Sequence, residues 1–151
     1  MKLTTNFSLA EMTASQMASR KGLNNNPTAG QIENLRKLCE SILQPIRNHY
    51  DAPVIISSGF RSPELCVLIG SSIDSQHAKG QAADLQVSGV DNKSLAKWIK
   101  ENLDFDQLIL ECWDGIEPNS GWVHVSYVDD STNRKDVLTY TRAGGYTKGI
   151  V

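Results

Sequence analysis

The sequence predicts an α+β fold, a small antiparallel sheet backed by helices, and three observations predict it. Apolar residues at helical spacing run through the first third of the chain. Short alternating or β-branched runs follow in the second half. Those runs are mostly adjacent, without a helix between each pair. Helices first and neighbouring strands later describe α+β rather than a parallel sheet with alternating helices. No low-complexity stretch, charge block or internal repeat interrupts the chain, so residues 1–151 are read as one domain.

The elements follow in order. Phe7 to Arg20 is mixed and predicts a short helix after an extended start. Asn24, Asn25, Asn26 and Pro27 then break any helix, because proline disfavours the helical region in the residue before it. Thr28 and Gln31 stand at capping-box spacing, and Ile32, Leu35, Leu38, Cys39, Ile42, Leu43 and Ile46 make one helical face. A long core helix is expected from Ala29 to Tyr50, bent near Pro45. Pro53 to Ser57 is a β-branched run ending at Ser58 and Gly59, and reads as a strand. Ala82 to Val87 is a second strand, and Leu95, Ile99 and Leu103 space a helix over Ser94 to Leu103. Gln107 to Cys112 and Trp122 to Val128 are strands joined by a polar loop containing Gly115, Pro118 and Gly121, and a last strand is expected near Val137 to Thr141.

Composition narrows the classes of function. A formal net charge of -2 supplies no broad cationic field, which argues against binding nucleic acid through phosphate neutralisation. Cys39, Cys66 and Cys112 are odd in number and lack C-x-x-C spacing, so they read as free thiols rather than a disulfide framework or a zinc ribbon. Met1 to Ala10 holds no apolar run long enough for a signal peptide or a membrane helix. Synthesis in a cytoplasm without membrane insertion is expected, as a monomer.

Two segments carry chemistry. Ser75-Gln76-His77-Ala78-Lys79-Gly80-Gln81-Ala82-Ala83-Asp84 sets an imidazole and a carboxylate on either side of a glycine turn. On a strand, Asp84 shares a face with Ala82 and Gln86, while Ala83, Leu85 and Val87 turn away. In Gly121-Trp122-Val123-His124-Val125-Ser126-Tyr127, the residues Trp122, His124 and Ser126 share one face. A lone strand histidine is commonly a hydrogen-bonded structural residue. Two histidines with one carboxylate are a catalytic zinc set that leaves a fourth position open, which changes the weight of the pair. His49, at the end of the long helix, reads instead as a cation favoured by the helix dipole.

The pattern Ser75-x-His77-x-x-Gly80-x-Ala82-x-Asp84 followed by Trp122-Val123-His124 resembles the zinc D-alanyl-D-alanine metallopeptidases. That family includes D-Ala-D-Ala carboxypeptidases and phage endolysins that cut L-Ala-D-Glu bonds, and its zinc site is like that of the hedgehog signalling domain. Asn6-Phe7, Ser58-Gly59-Phe60-Arg61-Ser62 and Phe105-Asp106-Gln107-Leu108-Ile109 resemble its stand-alone phage and prophage subgroup, so the likeness runs from about Phe7 to Arg134. It implies one zinc ion per chain on His77, Asp84 and His124, with Arg61 near the substrate, a peptidoglycan stem peptide. It also implies action at the bacterial cell wall after release from the cytoplasm.

One departure bears on mechanism. Many family members carry the catalytic acid three residues before the last histidine, where this chain has Gly121. If Glu111 opposes Trp122 across an antiparallel pair, Glu111 and His124 lie diagonally on one face, about 7 to 8 Å apart, which suits a general base. A solvated strand-end glutamate is the plain alternative, and Asp114 and Glu117 in the following loop are further candidates. Arg61 could clamp a terminal carboxylate, steady an oxyanion or make only a surface ion pair. Ser75 and Gln81 are candidates for hydrogen bonds to substrate, and Trp122 for a wall of the cleft, whereas Trp113 reads as core. The missing acid at Gly121 also leaves open a non-hydrolytic zinc-binding module, such as a virion or receptor-binding protein.

Overall fold

The computed structural model describes residues 1–117 and 120–151; Pro118 of the predicted polar loop lies outside the described residues. The extended start is tied down by a bridge between Lys2 and Ser8. The helix expected over Phe7 to Arg20 is two short ones, α1 (Leu9–Thr13) and α2 (Gln16–Lys21). They separate at Ala14, which is extended, and Ser15 restarts the helix as a cap accepting from the Ala18 N–H.

The long helix begins with the expected capping box. The Thr28 side chain accepts from Gln31 N, and the Gln31 side chain accepts from Thr28 N. Ahead of Pro45 the ladder widens: α3 (Ala29–Leu38) passes into a π turn (Cys39–Leu43) and then α4 (Gln44–Tyr50). Proline has no N–H, and its ring crowds the carbonyl four residues back, so the chain takes a wider turn in which Gln44 N reaches Cys39 O. Leu35, Leu38, Cys39, Ile42, Leu43 and Ile46 are all fully buried. Burial of a leucine or isoleucine contributes about 1.5 to 3 kcal/mol, so this face rather than helix propensity holds the element in place.

The strands are β1 (Val54–Ser58), β2 (Ala82–Val87), β3 (Gln107–Glu111), β4 (Trp122–Ser126), β5 (Asp136–Thr141) and β6 (Gly145–Lys148). They form one sheet in the order β1-β2-β4-β3-β5-β6. All pairs are antiparallel except β3 with β5, so the sheet is larger than expected and not purely antiparallel. α5 (Pro63–Leu68) was not expected, although Ser62 as cap and Pro63 at the first position signal its start. α6 (Asn92–Asn102) starts at the Asp91 cap, slightly before the predicted Ser94.

The alternation along the strands divides the sheet as the sequence predicts. Ala83, Leu85, Val87, Leu108, Leu110, Val123 and Val125 join the buried cluster with the long helix and with Leu95, Ala96 and Ile99 of α6. The opposite face carries Asp84, Glu111, His124 and Ser126 beside Ala82, Ile109 and Trp122, and the site is built there.

Cys39 and Cys66 are fully buried free thiols. Burial pushes the Cys39 thiol up to about 12, with the Glu11 and Glu40 charges adding to it. Because this folded value lies above the unfolded one, its contribution to stability is complete below about pH 9 and is lost as pH rises towards 12. Iodoacetamide at pH 8 should therefore leave Cys39 unmodified in the native chain and label it fully after denaturation, as read by intact mass.

Candidate metal centre

His77 sits on a short 3-10 turn (Gln76–Lys79) that precedes β2. The Ser75 hydroxyl accepts from His77 N at 3.1 Å and caps the turn. Gly80 ends it at φ +74, against α3, where a Cβ would come within 2.6 Å of the Gln31 carbonyl oxygen. From that helix Gln31 Nε2 donates to Ala78 O at 3.2 Å and Asn34 Nδ2 to Lys79 O at 2.9 Å. Capping residue and turn residue are thus one residue: Gln31 both starts α3 and holds the loop of His77.

The imidazole of His77 is fixed by Gly59 O, 2.8 Å from Nδ1. A carbonyl can only accept, so Nδ1 carries the proton and Nε2 presents its lone pair. That Nε2 lies 3.4 Å from Asp84 Oδ1. On the sheet Asp84 and His124 are direct cross-strand partners, and His124 Nδ1 is 3.0 Å from the same Oδ1. One donor atom from each of the three residues lies within 4.8 Å of the others.

This donor set fits zinc. Two imidazole nitrogens and a carboxylate oxygen are the ligand types of an open catalytic site. The Nε2 lone pair of His77 faces the Asp84 oxygen, an arrangement of two acceptors that a proton or a cation between them relieves. Asp84 is buried, which by itself disfavours ionisation. The imidazoles of His124 and His77 beside it outweigh burial and hold its carboxyl well below the usual carboxylate range. Its Oδ2 also accepts from Arg61 NH2 at 3.3 Å, while Arg61 Nε donates to Ser58 Oγ at 2.8 Å. Asn25, expected only to break a helix, fastens this segment: Nδ2 donates to Phe60 O, and Oδ1 accepts from Ser62 N.

Register places the remaining groups. Ile109 opposes His124, and Glu111 opposes Trp122, which is the pairing that sets Glu111 diagonal to His124. Glu111 Oε2 accepts from Trp122 Nε1 at 3.0 Å. Burial raises the Glu111 pKa and the Asp84 charge adds to the rise, against the opposing pull of His124, Trp122 and Arg61. Gly121 has φ +67, and a Cβ there would overlap the Glu111 carbonyl oxygen. No side chain fits at this position. Gly121→Ala should destabilise the fold by more than the ~1 to 2 kcal/mol that a left-handed backbone costs a non-glycine residue, because the overlap adds to that cost. Thermal unfolding checks this.

A cleft of about 440 Å³ gathers His77, Asp84 and His124 with Arg61, Ser75, Glu111 and Trp122. Gln76, Gln107, Arg134 and Tyr146 also line it, and none of these was singled out from the sequence. Arg134 and Tyr146 reach it only through the parallel pairing of β5 with β3 and the addition of β6, which no local pattern announces. Gln81 does not line the cleft; its backbone is used instead, donating to Gln76 O and accepting from Tyr127 N. Asp114 and Glu117 are exposed and also lie off the cleft. The Asp114 carboxylate accepts from the N–H groups of Ile116 and Glu117 and so shapes its own loop. Trp113 stays outside as well, under the Lys93 ammonium at 5.1 Å. His49 stacks on Trp98 at 4.2 Å. A larger groove of about 540 Å³ meets the cleft at Arg61, but none of the three possible metal ligands lines it.

Among the described residues no helix is long and apolar enough to cross a membrane. A search of curated proteins gave no match. A family profile does match, the one described as Peptidase M15, over residues 5–126. Residues 5–126 include all three possible metal ligands, Arg61 and Glu111, and the chain therefore belongs to the Peptidase M15 family, zinc-dependent metallopeptidases of peptidoglycan.

Proposed function

We propose that the chain is an endopeptidase of endolysin type, hydrolysing an internal bond of the peptidoglycan stem peptide at the cell wall. The observation that carries the mechanism is Glu111, held in the cleft beside the His-Asp-His group by the β3 to β4 register. His77, Asp84 and His124 would hold the zinc. When bound, zinc supplies a Lewis acid that polarises a carbonyl and brings the pKa of water towards about 7. Glu111 takes the proton of the attacking water and returns it to the leaving amine. Its raised pKa brings it nearer to the working pH, where one group serves best as base and then as acid. Trp122 Nε1 fixes one carboxylate oxygen and leaves the other for this proton.

Arg61 favours the endopeptidase over the carboxypeptidase. Its side chain is only 18% exposed, and it commits Nε to Ser58 and NH2 to Asp84. A guanidinium so engaged is placed to steady Asp84 and an adjacent oxyanion rather than to fork onto a free terminal carboxylate. Digestion of purified peptidoglycan followed by mass spectrometry tests the assignment. New internal termini within the stem are expected; release of D-alanine alone would make it a carboxypeptidase, and intact peptidoglycan a non-hydrolytic zinc module. Arg61→Ala should lower kcat by about 10² on a D-Ala-terminated peptide and on its C-terminal amide alike. A fall confined to the free acid would return Arg61 to carboxylate recognition.

A further inference from the structure

Of the three residues of the metal group, two stand on strands. Asp84 on β2 and His124 on β4 are held by the ladder that pairs them directly. His77 stands off the sheet on a four-residue turn, so its position depends on what holds that turn. From one side α3 does so, through Gln31 and Asn34. On the other side lies a buried carboxylate that the proposed chemistry does not use.

That carboxylate is Asp106, 3% exposed, at the entry to β3. Its Oδ2 accepts from Gln76 Nε2 at 2.9 Å and from Arg134 NH2 at 2.8 Å. Oδ1 accepts from Arg134 N at 3.0 Å and Nε at 3.1 Å. The backbone of Asp106 is fixed too: its N–H donates to Ser126 O of β4, and its carbonyl accepts from Asp136 N of β5. Gln76 immediately precedes His77, and Gln76 O accepts from Gln81 N at the other end of the turn. Burial opposes ionisation of Asp106, but the hydrogen bonds from Arg134 and Gln76 outweigh it, so a charged acceptor holds the Gln76 amide.

We infer that Gln76, Asp106 and Arg134 form a clamp that positions His77 for the metal, with Arg134 acting from beyond the family match that ends at residue 126. The inference rests on the reading of His77 as a ligand. Gln76 and Asp106 are positioning residues: neither belongs to the His77, Asp84 and His124 group, and they set where Nε2 lies relative to Asp84 and His124. Groups behind a metal ligand typically change metal affinity by about 10- to 100-fold when removed.

The test uses the full chain and zinc itself, with affinity read by competition against a chelator and geometry by the visible spectrum of the cobalt(II) form. Gln76→Ala cuts only the link to the turn and leaves the Asp106 to Arg134 pair whole. It should weaken zinc binding about tenfold and alter the cobalt spectrum, while the unfolding temperature of the metal-free protein stays near that of wild type. Asp106→Asn should weaken zinc further and also lower that temperature, and the double variant should bind zinc no worse than Asp106→Asn alone, because both changes break one path. Wild-type zinc affinity and cobalt spectrum in Gln76→Ala would overturn the clamp. A wild-type chain that takes up no zinc would overturn the metal reading and the clamp with it, an outcome distinct from wild type and Gln76→Ala binding equally well.

Discussion

Glu111→Gln should keep its zinc and lose about 10² to 10⁴ in kcat, the usual loss on removing a general base. The amide keeps the shape of the side chain and the oxygen that accepts from Trp122 Nε1, but it cannot take a proton. Zinc is retained because Glu111 lies diagonal to His124, outside the His77, Asp84 and His124 group. The pH profile gives a second check. With the Glu111 pKa raised, the wild-type rate should fall with acid at a higher pH than an exposed glutamate would give, since the protonated carboxyl is no base. Asp114→Asn and Glu117→Gln should turn over like wild type, both residues being exposed and off the cleft. Near wild-type turnover in Glu111→Gln would remove it as the base.

The second large effect is on the metal. Wild type is expected to carry about one zinc per chain, and His77→Ala, Asp84→Ala and His124→Ala to carry none, with hydrolysis abolished in each. Loss of one of three protein ligands leaves two, too few for a tight catalytic site. Asp84→Ala should be the most damaging to the apo fold as well, because its carboxylate gathers His77, His124 and Arg61 within 3.4 Å. Elemental analysis of the purified variants decides this, and full occupancy in all three would refute the assignment.

Both predictions draw on features legible in the sequence to different degrees. The alternation of Trp122, His124 and Ser126 against Val123 and Val125 announced which face each would take, because side chains on a strand alternate strictly. The diagonal placement of Glu111 could be stated only as a condition, since register depends on the loop length and on both strands together. Arg134 and Tyr146 had no local signature at all. They enter the cleft because β5 lies parallel to β3, a pairing set by the whole sheet. The π turn was foreshadowed by Pro45, but its location, a few residues ahead, follows from which carbonyl the ring crowds. Gln81 looked like a substrate contact because it is a polar loop residue within the motif; its backbone closes the turn instead.

The strand order has a consequence for synthesis. In β1-β2-β4-β3-β5-β6, the strand made third is enclosed between the fourth and the fifth. β2 emerges with Asp84 and pairs with β1 but waits for β4 to supply its second neighbour and His124, and β3 lacks either neighbour until β4 and then β5 have left the ribosome. At about 5 to 20 residues per second, the nascent chain spends seconds with His77 and Asp84 translated and their third partner missing. On the reading of His124 as the third ligand, zinc capture waits for β4, and a ribosome stalled before Trp122 holds a chain without the full set.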